Sequence, residues 1–339
     1  VQTTIGTDGG GKVITSMPVS VLQLDPVRYV PHGCHALECA WPEKNCYVDV
    51  WIEALHALGL DPMPVLAFTL SVDFQGDQWT FFKPPHHDLS VLYGLQVHEL
   101  NVWRPLLEHA LVHLAHGQMV FTEADAFHLP DTVGTTYRAR HTKTTIVLET
   151  IDPIERRVGY FHNGGYYSLG GEDYAALFDE SGAPSAMALP LYAEYVRIDR
   201  LARLSRVELL GRSRTLLRWH LERRPEDNPF VRFERRFGSS LERFAKADLE
   251  GYHAYAFATL RQCGAAFELA AAYLRWLDPA MGAAAERFDA VSGAAKALVM
   301  KGARAVSARR PGDYSEAFTI MRDEWEAALR EVECRMARG

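Results

Sequence analysis

Near Pro190 the residue pattern changes character, and that change limits the fold of this chain more than any other feature. From about residue 195 to 337 apolar residues recur at helical spacing almost without a break, apart from loops near 225–229 and 309–313. Before it, helical stretches mix with β-branched runs. CYVDVWIEALHALG (46–59) places Val50, Trp51, Ala54, Leu55 and Leu58 on one helical face, and Gly59 supplies the stop. QMVFTEADAFH (118–128) reads as a buried strand. TKTTIVLETI (142–151) reads as a second, Asp152-Pro153 as a turn and VGYFHNGGYYSL as the returning strand. The expected fold class is therefore α+β, an N-terminal helix with an antiparallel sheet over 21–196, followed by an all-α region over 197–339. The Gly- and Thr-rich residues 1–20 read as a flexible arm.

Charge divides in the same place. Residues 1–196 carry 10 Lys+Arg against 23 Asp+Glu, and residues 197–339 carry 26 against 20. Acidic residues interleave with the basic ones and the pI is about 6.1, which argues against a nucleic-acid partner. An acidic protein partner suits Arg200, Arg203 and Arg206 better. No apolar run reaches the ~18–20 residues that span a bilayer, so no membrane association is expected. The first residues lack a charged start and an apolar stretch, and a cytoplasmic location is expected. Cys34, Cys39, Cys46, Cys263 and Cys334 are odd in number and scattered, which argues against a disulfide framework and leaves a thiol free for chemistry.

Cys46 opens a predicted helix, where free N–H groups and the helix dipole favour a thiolate. His141 stands at the head of the strand that follows QMVFTEADAFH, and the order helix-Cys, then strand-His, is that of a cysteine acyl-transfer site. Asn163 falls opposite His141 if the hairpin tip lies near 151–153, and completes a triad. A tip nearer Arg156 breaks that pairing, and Asp125 on the preceding strand is the rival. Asn45 and Gln78, with the Cys46 amide, are candidate oxyanion donors, and Asp77 is a further candidate for the substrate cleft. No metal site is expected: His32, Cys34, His35 and Cys39 match no zinc spacing, and His109, His113 and His116 read as a wet helix face. Gly9-Gly10-Gly11-Lys12 lacks the context of a phosphate loop.

The segments WPEKNCYVDVWIEALHALGLDP, GDQWTFFKPP, ELNVWRPL, EADAFHLPDTVGTTYRARHTKTTI, GYFHNGGYY and AFATLRQCGAAFELAAAYLRWL resemble those of a bacterial family catalogued as a domain of unknown function. The likeness covers nearly the whole chain after residue 20. The order helix-Cys, strand, His-strand-Asn is more distantly similar to the butirosin biosynthesis acyltransferase family, over the N-terminal half only and with Asn45-Cys46 where such proteins tend to show His-Cys. That resemblance implies a papain-like domain moving an acyl or aminoacyl group from a carrier-protein thioester, through a Cys46 acyl-enzyme, to a small amine or hydroxyl acceptor. No cofactor is implied beyond the carrier's phosphopantetheine arm, which belongs to the substrate. The alternatives are a cysteine peptidase, amidase or thioesterase with the same triad, and a non-enzymatic binding protein with Cys46 buried and inert. Oligomeric state is not legible.

Overall fold

The computed structural model describes residues 5–7, 13–179, 191–244, 249–310 and 312–338. Gly9-Gly10-Gly11-Lys12 and Pro190 lie outside the described residues. The chain divides into two compact units that alternate along the sequence. One comprises residues 1–33, 46–62 and 89–203; the other comprises 34–45, 63–88 and 204–339. Among the described residues no helix is long and apolar enough to cross a membrane.

The first unit is α+β, built on a seven-stranded antiparallel sheet. A short hairpin of β1 (Ile5–Thr7) and β2 (Val13–Thr15) precedes it, and β3 (Val19–Ser20) joins the sheet beside β8. The helix α1 (Cys46–Ala57) follows, and the chain passes between units within α2 (His86–Tyr93). Then come β6 (Gln96–Glu99), α3 (Leu106–Ala115), β7 (Met119–Asp125), β8 (Lys143–Asp152), β9 (Arg157–His162), β10 (Gly165–Gly170), α4 (Gly171–Leu177) and β11 (Ala193–Arg197). The strand order is β10-β9-β8-β7-β11-β6.

Period-2 alternation sorts the two faces of this sheet. Phe121, Glu123 and Asp125 of β7 pair with Val147, Thr145 and Lys143 of β8 and share one face. Trp51 of α1 stacks on Phe121 with ring centroids 4.4 Å apart, so α1 covers that face. Val120, Ala124, Ile146, Leu148 and Tyr160 face the opposite way, into a core completed by Leu106, Ala110, Leu111 and Leu114 of α3 and Tyr174 of α4. A bulge between Leu148 and Thr150 turns Glu149 into the protein. Its carboxylate, fully buried, accepts from Ser20 Oγ (2.8 Å), the Leu22 and Gln23 amides and Tyr166 OH (2.7 Å). Many donors on one ion offset the cost of removing that charge from water.

The histidines of α3 differ from the wet face expected of them. His109 is buried and accepts from the Trp103 amide (3.3 Å), and His113 stacks on Tyr195 (4.3 Å) while pairing with Gln118. Burial pushes both imidazoles below the usual histidine value.

The second unit is mainly helical. It holds the hairpin β4 (Phe74–Gln75) and β5 (Gln78–Trp79) with α5 (Arg206–Leu221), α6 (Pro229–Phe244), α7 (Leu249–Ala256), α8 (Gln262–Leu277), α9 (Gly282–Ala308) and α10 (Ser315–Arg338). Phe74, Trp79, Phe230, Phe233 and Phe267 form an aromatic core, with ring centroids 5.0–6.1 Å apart in edge and tilted contacts. A capping box starts α5, with Ser205 accepting from the Glu208 amide and Glu208 closing back on Ser205.

Candidate active site

Cys46 is the first residue of α1, and it is partly exposed. The first N–H groups of a helix have no intrahelical partner, so Sγ stands in the positive end of the helix field. Asp49, fully buried in the same first turn, shares that field. Cys46 Sγ lies 3.8 Å from Thr145 Oγ1. Thr145 belongs to the β8 face that α1 covers, directly opposite Glu123.

Two residues back along β8, about 7 Å at strand rise, Lys143 stands opposite Asp125. Lys143 Nζ reaches diagonally to Glu123 (2.7 Å). Just before β8 begins, His141 places Nδ1 2.5 Å from Asp125 Oδ2. The imidazole lies flat on the Phe127 ring, with centroids 4.3 Å and planes 13° apart. Its side chain is 73% exposed, and the ring is held by one carboxylate and one aromatic face. Asp125 Oδ1 accepts from the Phe127 and Thr142 amides (3.0 and 3.1 Å). Burial pushes the Asp125 carboxyl up, but the bonds from His141 and the two amides outweigh it and hold the carboxyl below its usual range. Asp125 is therefore an anion at neutral pH, suited to fix one tautomer of His141 and to stabilise its protonated ring.

Asn163 does not stand opposite His141. The β8–β9 tip spans 153–156, Asp152 pairs with Arg157, and the ladder ends with Ile146 opposite His162. Asn163 leaves the ladder into the β9–β10 turn with φ of 45°, a left-handed conformation that asparagine tolerates well. This is the register in which the Asn pairing fails, and Asp125 occupies the place beside His141 instead.

Of the remaining candidates, Asn45, Asp77, Gln78 and Arg206 sit in the second unit and Arg200 and Arg203 in the first. Asn45 is buried, and its Nδ2 donates to Gln262 Oε1 (2.9 Å). Asp77 and Gln78 are exposed at the β4–β5 hairpin, while Trp79 beside them is core. Arg203, in the first unit, donates to the Leu58 and Gly59 carbonyls and caps the end of α1. Arg206 donates to the Trp276 carbonyl and lies 4.2 Å above its ring. Arg200 is exposed.

Three arrangements escaped the sequence reading because long-range contacts make them. The segment leading to Cys46 is gripped by α8 and α9. The Ala40 and Trp41 amides donate to Glu268, Trp41 Nε1 donates to Ser292 (2.9 Å), Arg261 donates to the Glu43 carbonyl, and Lys296 donates to the Ala40 carbonyl. The buried Lys44 ammonium, 3.6 Å from Glu268, donates to the Trp41 carbonyl (2.6 Å). His162 bridges Asp131 (2.6 Å) and Thr144 (2.8 Å), with Tyr160 also donating to Asp131. His220 bridges Asp88 (2.6 Å) and Ser71 (3.4 Å). Both of these histidines and their Asp partners are buried, as befits groups that pin the fold from within. Among the described residues no group of three His, Cys, Asp or Glu side chains is arranged to hold a metal ion.

A search of the curated proteins finds none that matches the chain. Family models do match: the DUF1839 N-terminal domain over residues 30–198 and the DUF1839 C-terminal domain over residues 206–333. The segment around Cys46 and the strands bearing Asp125 and His141 fall in the first, the helices that grip WPEKN in the second, and the chain belongs to the DUF1839 family.

Proposed function

We propose that this protein is a papain-like, cysteine-dependent acyltransferase in which Cys46 is the nucleophile, His141 its base and Asp125 the group that orients His141. The observation that carries this reading is the disposition along one sheet face: Cys46 beside Thr145 of β8, and Asp125, two residues further along the ladder on that face, holding His141 just before β8 begins. A thiol at a helix start served by an oriented imidazole is the usual means of activating cysteine.

In the first half-reaction His141 takes the Cys46 proton, and the thiolate attacks a thioester carbonyl. The carrier thiolate leaves with the proton from His141, and Cys46 holds the acyl group as a new thioester. An amine or hydroxyl acceptor then attacks, His141 takes its proton, and the Cys46 thiolate is released and reprotonated. Exchange of one thioester for another is nearly balanced, so the energy of the acyl bond is kept for the second step. The Cys46 amide, at the start of α1, would receive the oxyanion. The donor is an acyl or aminoacyl group on the phosphopantetheine arm of an acidic carrier protein. Of the three arginines considered for docking, Arg203 and Arg206 hold carbonyls within the protein, so Arg200 is the one left to meet the carrier. Hydrolysis by the same residues is the second reading, favoured by the exposure of His141, which gives water a route.

The test is release of thiol from an acyl thioester, followed in the wild type and in Cys46→Ala, His141→Gln, Asp125→Asn and Asn163→Ala. The first two are expected to abolish turnover, and Asp125→Asn to lower it about 100-fold or more. Asn163→Ala is expected to stay within about threefold of wild type in rate. Full activity in Asp125→Asn with loss in Asn163→Ala would reverse the assignment.

A further inference from the structure

A second feature of interest lies within the helical unit. A cavity of about 180 Å³ is lined by Arg214 and Arg218 of α5, Arg335, Met336 and Arg338 of α10, and Asp278 and Met281. Arg214 and Arg218 are four residues apart on one helix, and Arg335 and Arg338 three apart on another, so each pair projects from one face. The one carboxylate present is already engaged. Asp278 Oδ1 accepts from the Ala280 amide (3.0 Å) and Oδ2 from Arg335 Nε (3.0 Å). Among the described residues Arg214, Arg218 and Arg338 form no ion pair.

Elsewhere in the helical unit several arginines are matched by carboxylates. Arg224 pairs with Glu333, Arg287 with Glu324 (2.6 Å) and Glu331 (2.7 Å), and Arg275 with Asp289. Arg214 shares its charge with the already engaged Asp278, and Arg218 and Arg338 have no carboxylate partner among the described residues, so the guanidiniums lining this small concavity repel one another and are stabilised by an anion. A concave site of this size favours a small molecule over the broad, flatter face of a protein partner. Guanidinium forks match phosphate oxygens two at a time, and three to four of them exceed what one phosphate needs.

We propose that this cavity between α5 and α10 binds a small molecule through a diphosphate group. The diphosphate is common to free inorganic diphosphate and to nucleotides, and the probes below separate the two. Calorimetric titration of the full chain with inorganic diphosphate, ADP and orthophosphate at matched ionic strength tests it. Diphosphate or ADP is expected to bind, orthophosphate at least tenfold more weakly, and affinity is expected to fall as salt rises. ADP binding tighter than diphosphate would assign a nucleotide, and equal binding would assign the diphosphate alone. Arg214→Gln/Arg218→Gln is expected to weaken binding at least tenfold. Arg338→Gln, at an exposed helix end, is expected to weaken it several-fold with the thermal midpoint unchanged. No binding of diphosphate or ADP, orthophosphate binding as tightly as both, or unchanged affinity in both variants would overturn the proposal. So would a glutamate-rich peptide that binds this cavity more tightly than diphosphate.

Discussion

Asp125 shows how one residue sets the character of the candidate site. Three donors converge on its carboxylate, and their sum outweighs burial, so its charge persists to lower pH than an ordinary aspartate's. A group whose folded pKa is depressed contributes stability above its unfolded pKa and loses it as pH falls through the folded one. Asp125 is therefore expected to lose its hold on His141 only below about pH 4, under the range where histidine itself titrates. The five thiols differ as sharply. Cys263 is wholly enclosed, and burial pushes its thiol well up, whereas Cys46 is partly open at a helix start. Iodoacetamide at neutral pH is expected to label Cys46 and leave Cys263 unmodified in the folded protein, read by peptide mass mapping. A labelled Cys263 with an untouched Cys46 would point to the inert binding protein instead.

At the scale of elements, α1 was legible from its helical period, and β7, β8 and β9 from buried or β-branched runs bounded by turn signals. Gly59 ends α1's turn with φ of 70°, and Asp152 Oδ1 accepts from the Ile154 and Glu155 amides at the β8–β9 tip. What it could not give was register. A strand pattern says which residues share a face, but the position of the tip decides which residues are opposite, and here, with the tip at 153–156, Asp125 rather than Asn163 stands beside His141. The bulge at Glu149 was equally hidden, since a buried glutamate inside a β-branched run leaves no local trace. The grip of α8 on the WPEKN segment was not legible, because it joins stretches more than 200 positions apart. Its tightest point is Gly264, where a Cβ would stand 2.4 Å from the Trp41 ring. Gly264→Ala gains up to about 1 kcal/mol of helix propensity, but the clash is expected to cost about 1–3 kcal/mol. The expected result is a lower thermal midpoint, because the Trp41 ring must leave its place against α8. An unchanged midpoint would show that Trp41 moves aside freely.

For the whole molecule, acid is expected to weaken the fold through α3 well before it reaches the carboxylates. His109 and His113 have folded pKa values below the ordinary one, so between that lower value and about 6.5 the unfolded chain binds more protons than the folded one. Stability is then full above pH 7 and falls as pH drops through 6.5 and below. His109→Gln/His113→Gln is expected to flatten that fall between pH 7 and 5, measured by thermal midpoints, and an unchanged slope would place the acid sensitivity elsewhere. The division into an α+β region and a helical region was readable from the break near Pro190, because period and charge change together there. The interleaving of the units was not, since residues 34–45 and 63–88 join the helices only through tertiary contacts. The central claim, that Cys46 carries an acyl group in transit, is tested most directly by intact-protein mass spectrometry after mixing with an acylated carrier protein. The account predicts a mass gain of one acyl group in the wild type, greater in amount for Asp125→Ala only if deacylation slows more than acylation, and none in Cys46→Ala. An adduct that persists in Cys46→Ala, or a wild type that stays unmodified while its Cys46 alkylates readily across a panel of acyl thioesters, would contradict it.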